Sequence, residues 1–407
     1  MLAWRPGAYL RAGSGLFGWL LLRAVGQGVL VIALARLLGA SEYGHFITVL
    51  AVATFFTPLA GFGLPGVMLR DGARNPQAIP QQLAAALRLW WPSTAVFGAM
   101  GVVAALLVLP HGAHASAVAA LVLAEVASSS LVELLARVHQ ALHRTNRFGA
   151  ILAGLVLARV GALMVITLCA RPDLSGWMWV YGSSGLMYST WLLVRAQREF
   201  QLARRPSMPK WPLVREGLPF AFGALSLRIQ AEFNKPVLAQ VGFALAGNFS
   251  VAQRAVDIAS LPLTAMQEAL WPRLYASREP RRQMLFTAAF LVLLALLGGV
   301  MLYLIAPLLA LLLGPGFETT VQLLQWLAWL PAFQVIRNFG NYQAVASHRT
   351  HLLAWSYLVG GVTSIVLTVW LVPGFGLVGA VMAAYLTEAA AIVLQTLFLL
   401  RNPRYSM

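Results

Sequence analysis

QALHRTNRFGAILA (Gln140–Ala153) has a second copy in QAVASHRTHLLAWS (Gln343–Ser356), with His143-Arg144-Thr145 matching His348-Arg349-Thr350. A looser pair lies upstream, GASEYGHF (Gly39–Phe46) and LAGNFSVA (Leu245–Ala252), each opening an apolar run after a short turn. Both pairs are offset by about 205 residues, so order and spacing agree and the chain reads as one unit used twice.

The segments between these landmarks set the fold class. Of the 407 residues, 59% are hydrophobic and only 10% charged, against roughly 25% charged in a soluble globular chain. Apolar runs of spanning length recur throughout, at Gly15–Leu38, His45–Met68, Leu89–Leu109, Ala117–Leu135, Phe148–Ala170 and Gly176–Val194 in the first half. The second half holds Leu218–Gly242, Asn248–Trp271, Leu285–Leu308, Thr320–Ala344, Leu352–Val372 and Gly376–Leu399. The expectation is an all-α polytopic membrane protein of about twelve transmembrane helices. They form two six-helix lobes, 1–197 and 217–407, related by a parallel pseudo-twofold and joined by a basic cytoplasmic linker, 198–216.

Charge supports the count. Basic residues fall in alternate loops: Arg70, Arg74 and Arg88; Arg137, Arg144 and Arg147; Arg198, Arg204, Arg205, Lys210 and Arg215; Arg273, Arg278, Arg281 and Arg282; and Arg349. Both ends are basic too, with Arg5 and Arg11, then Arg401 and Arg404. The positive-inside rule places all of these, and both termini, in the cytoplasm. The opposite loops are short, and Arg171 is almost the only basic residue in them. A net charge of +16 therefore reads as membrane topology, and no basic stretch interleaved with aromatics points to nucleic acid. The first apolar run lacks an A-x-A-like cleavage site and reads as an uncleaved span. A single cysteine, Cys169, rules out an internal disulfide or a cysteine metal cluster.

Function is expected where charge lies at bilayer depth, because such groups are costly and face a bundle interior or a watery cavity. Leu225–Gly242 (LSLRIQAEFNKPVLAQVG) places Arg228, Glu232 and Lys235 at helical spacing on one face. Arg23, Arg159 and Arg337 lie inside other spans, and Arg254 sits three residues before Asp257. Each alone reads equally well as a counter-ion for packing. Together they form an excess of cation over the buried acids Glu125, Glu232, Asp257 and Glu388, and fixed guanidinium groups bind phosphate or carboxylate bidentately. Arg23, Arg159, Arg228, Lys235 and Arg337 are the candidate anion-binding set, with Glu232, Arg254 and Asp257 as charge-balancing or ion-coupling groups. No nucleophile, metal-ligand spacing or P-loop lysine motif stands beside them, so neither an enzyme nor a cofactor is expected.

ARLLGASEYGHFITVLAVATFFTPLAGFGLPGVMLRD (Ala35–Asp71), AGNFSVAQR, ALWPRL (Ala269–Leu274) and QAVASHRTHLLA resemble the Wzx-type polysaccharide flippases of the MOP superfamily over nearly the whole length. The family's usual aspartate in the seventh span is Glu232 here. The resemblance implies alternating access around a cationic cavity in the bacterial inner membrane. The substrate it implies is an undecaprenyl-diphosphate-linked oligosaccharide, moved to the periplasmic leaflet for O-antigen or exopolysaccharide assembly. H+ or Na+ coupling, and other polysaccharide assembly proteins as partners, are expected with it. The alternative readings are a multidrug or other small-molecule exporter of the same superfamily and a Wzy-like polymerase acting on the same lipid-linked substrate.

Overall fold

The computed structural model describes residues 6–109, 114–169, 173–202, 211–275, 280–346 and 350–400, and within them only helices and turns occur. In chain order the α-helices are α1 (Pro6–Phe56), α2 (Leu64–Arg74), α3 (Ile79–Val108), α4 (Ala115–Ala141), α5 (Thr145–Cys169), α6 (Leu174–Glu199) and α7 (Trp211–Glu232). They continue as α8 (Asn234–Val241), α9 (Phe243–Ala259), α10 (Leu261–Tyr275), α11 (Pro280–Leu313), α12 (Glu318–Leu327), α13 (Leu330–Ala346) and α14 (Thr350–Leu400). In lipid every backbone polar group must be satisfied within the chain, and helices do this segment by segment. The basic linker residues Arg204, Arg205 and Lys210, the loop residue Arg278, the repeat residues His348 and Arg349, and Arg401 and Arg404 lie outside the described residues.

Among the described residues, six helical stretches are long and apolar enough to cross a membrane by length and composition. Two of them, Gly15–Phe56 and Trp355–Phe398, are 42 and 44 residues long. Each breaks in the middle, at Gly39 (φ 73, ψ 172) and Gly376 (φ 53, ψ −125), backbone angles that only glycine holds without strain, so each contains two passes. Four further passes are too polar or too interrupted to register by composition. They are α6, α7 with α8, α9 with α10, and α12 with α13. The twelve expected spans are all present in the fold, and the breaks at Gly39, Gly242 and Gly376 fall within a few residues of the expected outer turns.

The chain groups into two compact units, one of Met1–Val31 with Val49–Leu225 and the other of Ile32–Thr48 with Ser226–Met407. In the first unit α4 is buried along nearly its whole length, and Leu83, Leu87, Leu131, Leu135 and Leu192 join α3, α4 and α6. Small residues let the helices close on α4. A Cβ at Gly98 of α3 would meet Leu123 at 2.8 Å, and one at Gly182 of α6 would meet Ala124 at 3.0 Å. Lipid is as apolar as leucine, so this close packing, rather than expulsion of water, holds the helices together.

The second unit has two apolar clusters. Leu238, Phe249, Leu323, Leu327 and Val372 join α8, α9, α12 and α14, while Leu263, Leu291, Val335 and Phe339 join α10, α11 and α13. The turn of α1 belongs here. Its His45 ring stacks on Phe243 with centroids 4.6 Å apart, and Arg36 donates to the Leu311 carbonyl at 3.4 Å. Backbones touch at Gly44, where a Cβ would sit 1.8 Å from the Phe243 carbonyl oxygen. Gly44→Val is expected to force these helices apart, at about 1–3 kcal/mol for overpacking. It should lower the melting temperature of the purified protein by several degrees, whereas Gly161→Ala, which meets nothing within 4 Å, should leave it unchanged.

Candidate functional site

In the first unit α5 carries Arg159 into the packed interior, where its side chain is 7% exposed and pairs with Glu125 of α4, itself 6% exposed. Ser129, one turn along α4, donates to the other carboxylate oxygen of Glu125. The guanidinium lies 4.1 Å from the Tyr181 ring centroid on α6. Gly185 of the same helix makes room, since a Cβ there would be 3.2 Å from the guanidinium. α5 itself carries no acid, so the partner of Arg159 comes from a neighbouring helix. Arg23 is half-buried on α1, near Gly26, where a Cβ would stand 3.0 Å from Val156 of α5.

The second unit holds the larger polar group. The stretch Leu225–Gly242 forms the end of α7 and the whole of α8. It breaks at Phe233 between α7 and α8, as Pro236 requires, since proline offers no N–H to the Glu232 carbonyl four residues earlier and crowds it. Glu232 turns to Lys235 across that break and pairs with it. Arg228 is exposed instead of sharing their contact. Arg254 of α9 and Arg228 both lie within electrostatic reach of Glu232, and Asp257 lies within reach of Arg254 and Lys235. The five groups, three cations and two carboxylates, form one cluster with a surplus positive charge. Gln253 donates to the Ala231 carbonyl at 2.8 Å at the end of α7, and Thr368 of α14 donates to Asn234 at 2.8 Å at the start of α8. The broken ends of the seventh pass are therefore pinned by neighbours.

Arg337 of α13 is placed beside this group by Gln230. It donates to the Gln230 side-chain oxygen at 3.2 Å, and Gln230 in turn donates to the Tyr357 carbonyl at 3.2 Å. Its Nε also faces Glu388 of α14 at 3.2 Å, close enough for an ion pair but angled away from a hydrogen bond.

Of the five expected anion-binding cations, Arg23 is half-buried on α1; the other four, together with Arg254 from the expected charge-balancing set, divide. Arg159, Lys235 and Arg337 each meet one carboxylate, and the excess expected from counting residues shrinks accordingly. Arg228 and Arg254 have no carboxylate at ion-pair distance among the described residues. Sequence reading missed Glu125, Glu388 and Gln230 as partners, since their contacts depend on how helices rotate against one another. Among the described residues, no three His, Cys, Asp or Glu side chains group to hold a metal.

No family model and no curated protein matches the chain. Solved structures do. The MATE multidrug transporter DinF-BH superposes with a TM-score of 0.69 at 12% identity, covering 98% of this chain and 96% of that one. An inward-facing multidrug resistance MATE family transporter of the MOP superfamily gives 0.66 at 13% identity, with 96% of each chain covered. The Vibrio cholerae MATE transporter VcmN gives 0.62 at 15% identity, covering 98% and 99%. The chain shares the MATE fold of the MOP superfamily. At these identities the likeness is one of fold.

Removing one partner of a buried ion pair strands the other charge and costs about 3–5 kcal/mol, while replacing both by apolar groups costs far less. Glu125→Gln and Arg159→Met are each expected to lower the melting temperature sharply, and the double variant Glu125→Leu/Arg159→Met to recover most of the loss.

At the basic end of the first unit, Arg70 donates to Asp71 at 2.7 Å and to Glu216 at 2.6 Å. The Arg70 guanidinium holds the Asp71 carboxyl below its ordinary value of 3.8. A depressed carboxylate stabilises the fold above its unfolded pKa, and that contribution is lost as pH falls through the folded value. Thermal stability should therefore decline on acidification below pH 3.8, and Asp71→Asn should melt lower at neutral pH with a shallower acid decline.

Proposed function

We propose that the chain is an alternating-access transporter, not an enzyme, that moves an undecaprenyl-diphosphate-linked oligosaccharide from the cytoplasmic to the periplasmic leaflet of a bacterial inner membrane. The observation carrying this reading is the cluster around Glu232, where Arg228 and Arg254 keep positive charge without a carboxylate at ion-pair distance among the described residues. Guanidinium groups at membrane depth are expensive unless they are used, and a diphosphate supplies the paired anionic oxygens they bind. Alternating access is supported by fold, since MATE transporters with this architecture have been solved inward-facing and outward-facing. Both termini and the linker 198–216 lie in the cytoplasm in this reading, and two six-helix lobes, 1–197 and 217–407, provide the moving parts.

The substrate's headgroup engages Arg228 and Arg254 first. Lys235 is held by Glu232 and Arg337 by Glu388, so both are secondary contacts. Partial neutralisation keeps binding weak enough for release. With an inside-negative potential, each negative charge moved outward gains about 2.3 kcal/mol per 100 mV. Glu232 and Asp257 are the groups through which H+ or Na+ would couple, and polysaccharide assembly proteins would receive the product.

A second reading has its own support, because the neighbours in fold are described as multidrug transporters. The two separate on charge, since a lipophilic cation is repelled by surplus arginine. In proteoliposomes, flipping of a labelled undecaprenyl-diphosphate oligosaccharide is expected for the wild type. It should fall about tenfold in Arg228→Ala and in Arg254→Ala, as loss of one charge-assisted contact implies, with melting temperatures unchanged. Uptake of a rhodamine-type cation in place of lipid flipping would establish the exporter instead.

A further inference from the structure

The basic end of the first unit holds a second cationic group, remote in sequence from the Glu232 cluster. Arg144, just before α5, and Arg147, in its first turn, both donate to the same Oε1 atom of Glu199 at the end of α6. The arginine side chains are 45% and 51% exposed. One carboxylate oxygen serves two guanidinium groups, each of which carries five donors. Arg195, one turn before Glu199, lies 5.5 Å over the Trp191 ring and adds a third positive charge, with no carboxylate at ion-pair distance among the described residues. His139 of α4, 5% exposed, lies with its ring tilted against Phe200, centroids 5.7 Å apart, and in the field of these three arginines and Glu199. Its buried Nδ1 has no hydrogen-bond partner among the described residues.

The backbone adds to this independently. The first intrahelical bond of α5 runs from the Phe148 N–H to the Arg144 carbonyl at 3.0 Å. The N–H groups of Thr145, Asn146 and Arg147 thus belong to the open first turn, where a helix favours an anion. Depth is marked by Trp191, which is 53% exposed and amphipathic, as side chains at the headgroup level are. Behind the cluster, α4 and α5 are apolar helices of spanning length.

We infer that Arg144, Arg147 and Arg195, with the start of α5, form a binding site for the phosphate of a membrane-lipid headgroup, in which Glu199 holds the arginines in place when no lipid is bound. A phosphate, with its paired non-bridging anionic oxygens, meets both guanidinium groups more fully than one carboxylate oxygen does. The same chemistry is offered by a polyprenyl diphosphate and by an ordinary anionic phospholipid. The site stands whether or not the chain moves a glycan, since it rests on binding in the first unit alone.

The test is a titration of the full chain, in nanodiscs of phosphatidylcholine, with undecaprenyl diphosphate and separately with phosphatidylglycerol, read by native mass spectrometry. Saturable binding is expected, weakened about tenfold in Arg144→Gln/Arg147→Gln and unchanged in Arg70→Gln, a basic control at the same end. Glu199→Gln discriminates further: removal of the competing carboxylate should tighten lipid binding severalfold, whereas a merely structural tie between α5 and α6 predicts no gain. Preference for undecaprenyl diphosphate would identify the lipid-linked substrate as the source of the phosphate, and equal affinity the bulk anionic lipid. Absence of saturable binding in the wild type, equal weakening by Arg70→Gln, or Glu199→Gln binding no tighter than wild type would overturn the inference.

Discussion

A charge taken into lipid must find its opposite, and this requirement arranges the interior of both units. Water cannot reach the guanidinium of Arg159, so α4 supplies Glu125, α6 supplies the Tyr181 ring, and Gly185 clears the space between them. In the second unit Lys235 meets Glu232 and Arg337 meets Glu388 in the same way. Ion pairs of this kind add little net stability, because desolvation offsets most of the attraction. They do fix which helix faces which, since breaking one leaves a stranded charge. Against that background Arg228 and Arg254 stand out, as cations for which the described residues supply no paired acid.

The polar cluster also coincides with the places where helices are interrupted. The seventh pass breaks at Phe233 and the eighth between α9 and α10, around Ser260. A break frees backbone groups that an unbroken span would consume; the Gln253 side chain takes the Ala231 carbonyl, and Thr368 holds the Asn234 side chain beside it. Irregular backbone at membrane depth persists only where protein or a watery cavity satisfies it. Apolar passes such as α5 and α11 present exposed leucine, methionine and valine. The turn of α1, itself part of the second unit, follows a different rule, closing there through glycine-to-backbone contact and the stacked His45 and Phe243 rings.

Much of this was legible in the chain. Hydropathy located the twelve passes because lipid imposes a length and an apolar composition on each. The breaks at Gly39 and Gly376, and the effect of Pro236, follow from the backbone chemistry of glycine and proline. What escaped was pairing. Glu125 and Arg159 are 34 residues apart on different helices, and nothing in either helix encodes the rotation that joins them. The same holds for Arg337 with Glu388. Counting buried charges therefore overstated the free cation, and it ranked Arg159 with Arg228 although one is enclosed and the other exposed. Arg228 and Lys235 illustrate the remaining difficulty: helical spacing puts both within reach of Glu232, but only Lys235 pairs with it.

The central claim is that the cations around Glu232 receive an anionic lipid headgroup. Photo-crosslinking with a diazirine-bearing polyprenyl diphosphate, followed by peptide mapping of the labelled chain, addresses it most directly. The account predicts label on peptides from α7, α8 and α9, competed by unlabelled diphosphate lipid and lost when Arg228 and Arg254 are both replaced by glutamine. Label that avoids those helices, or that a lipophilic cation displaces while diphosphate does not, would contradict it.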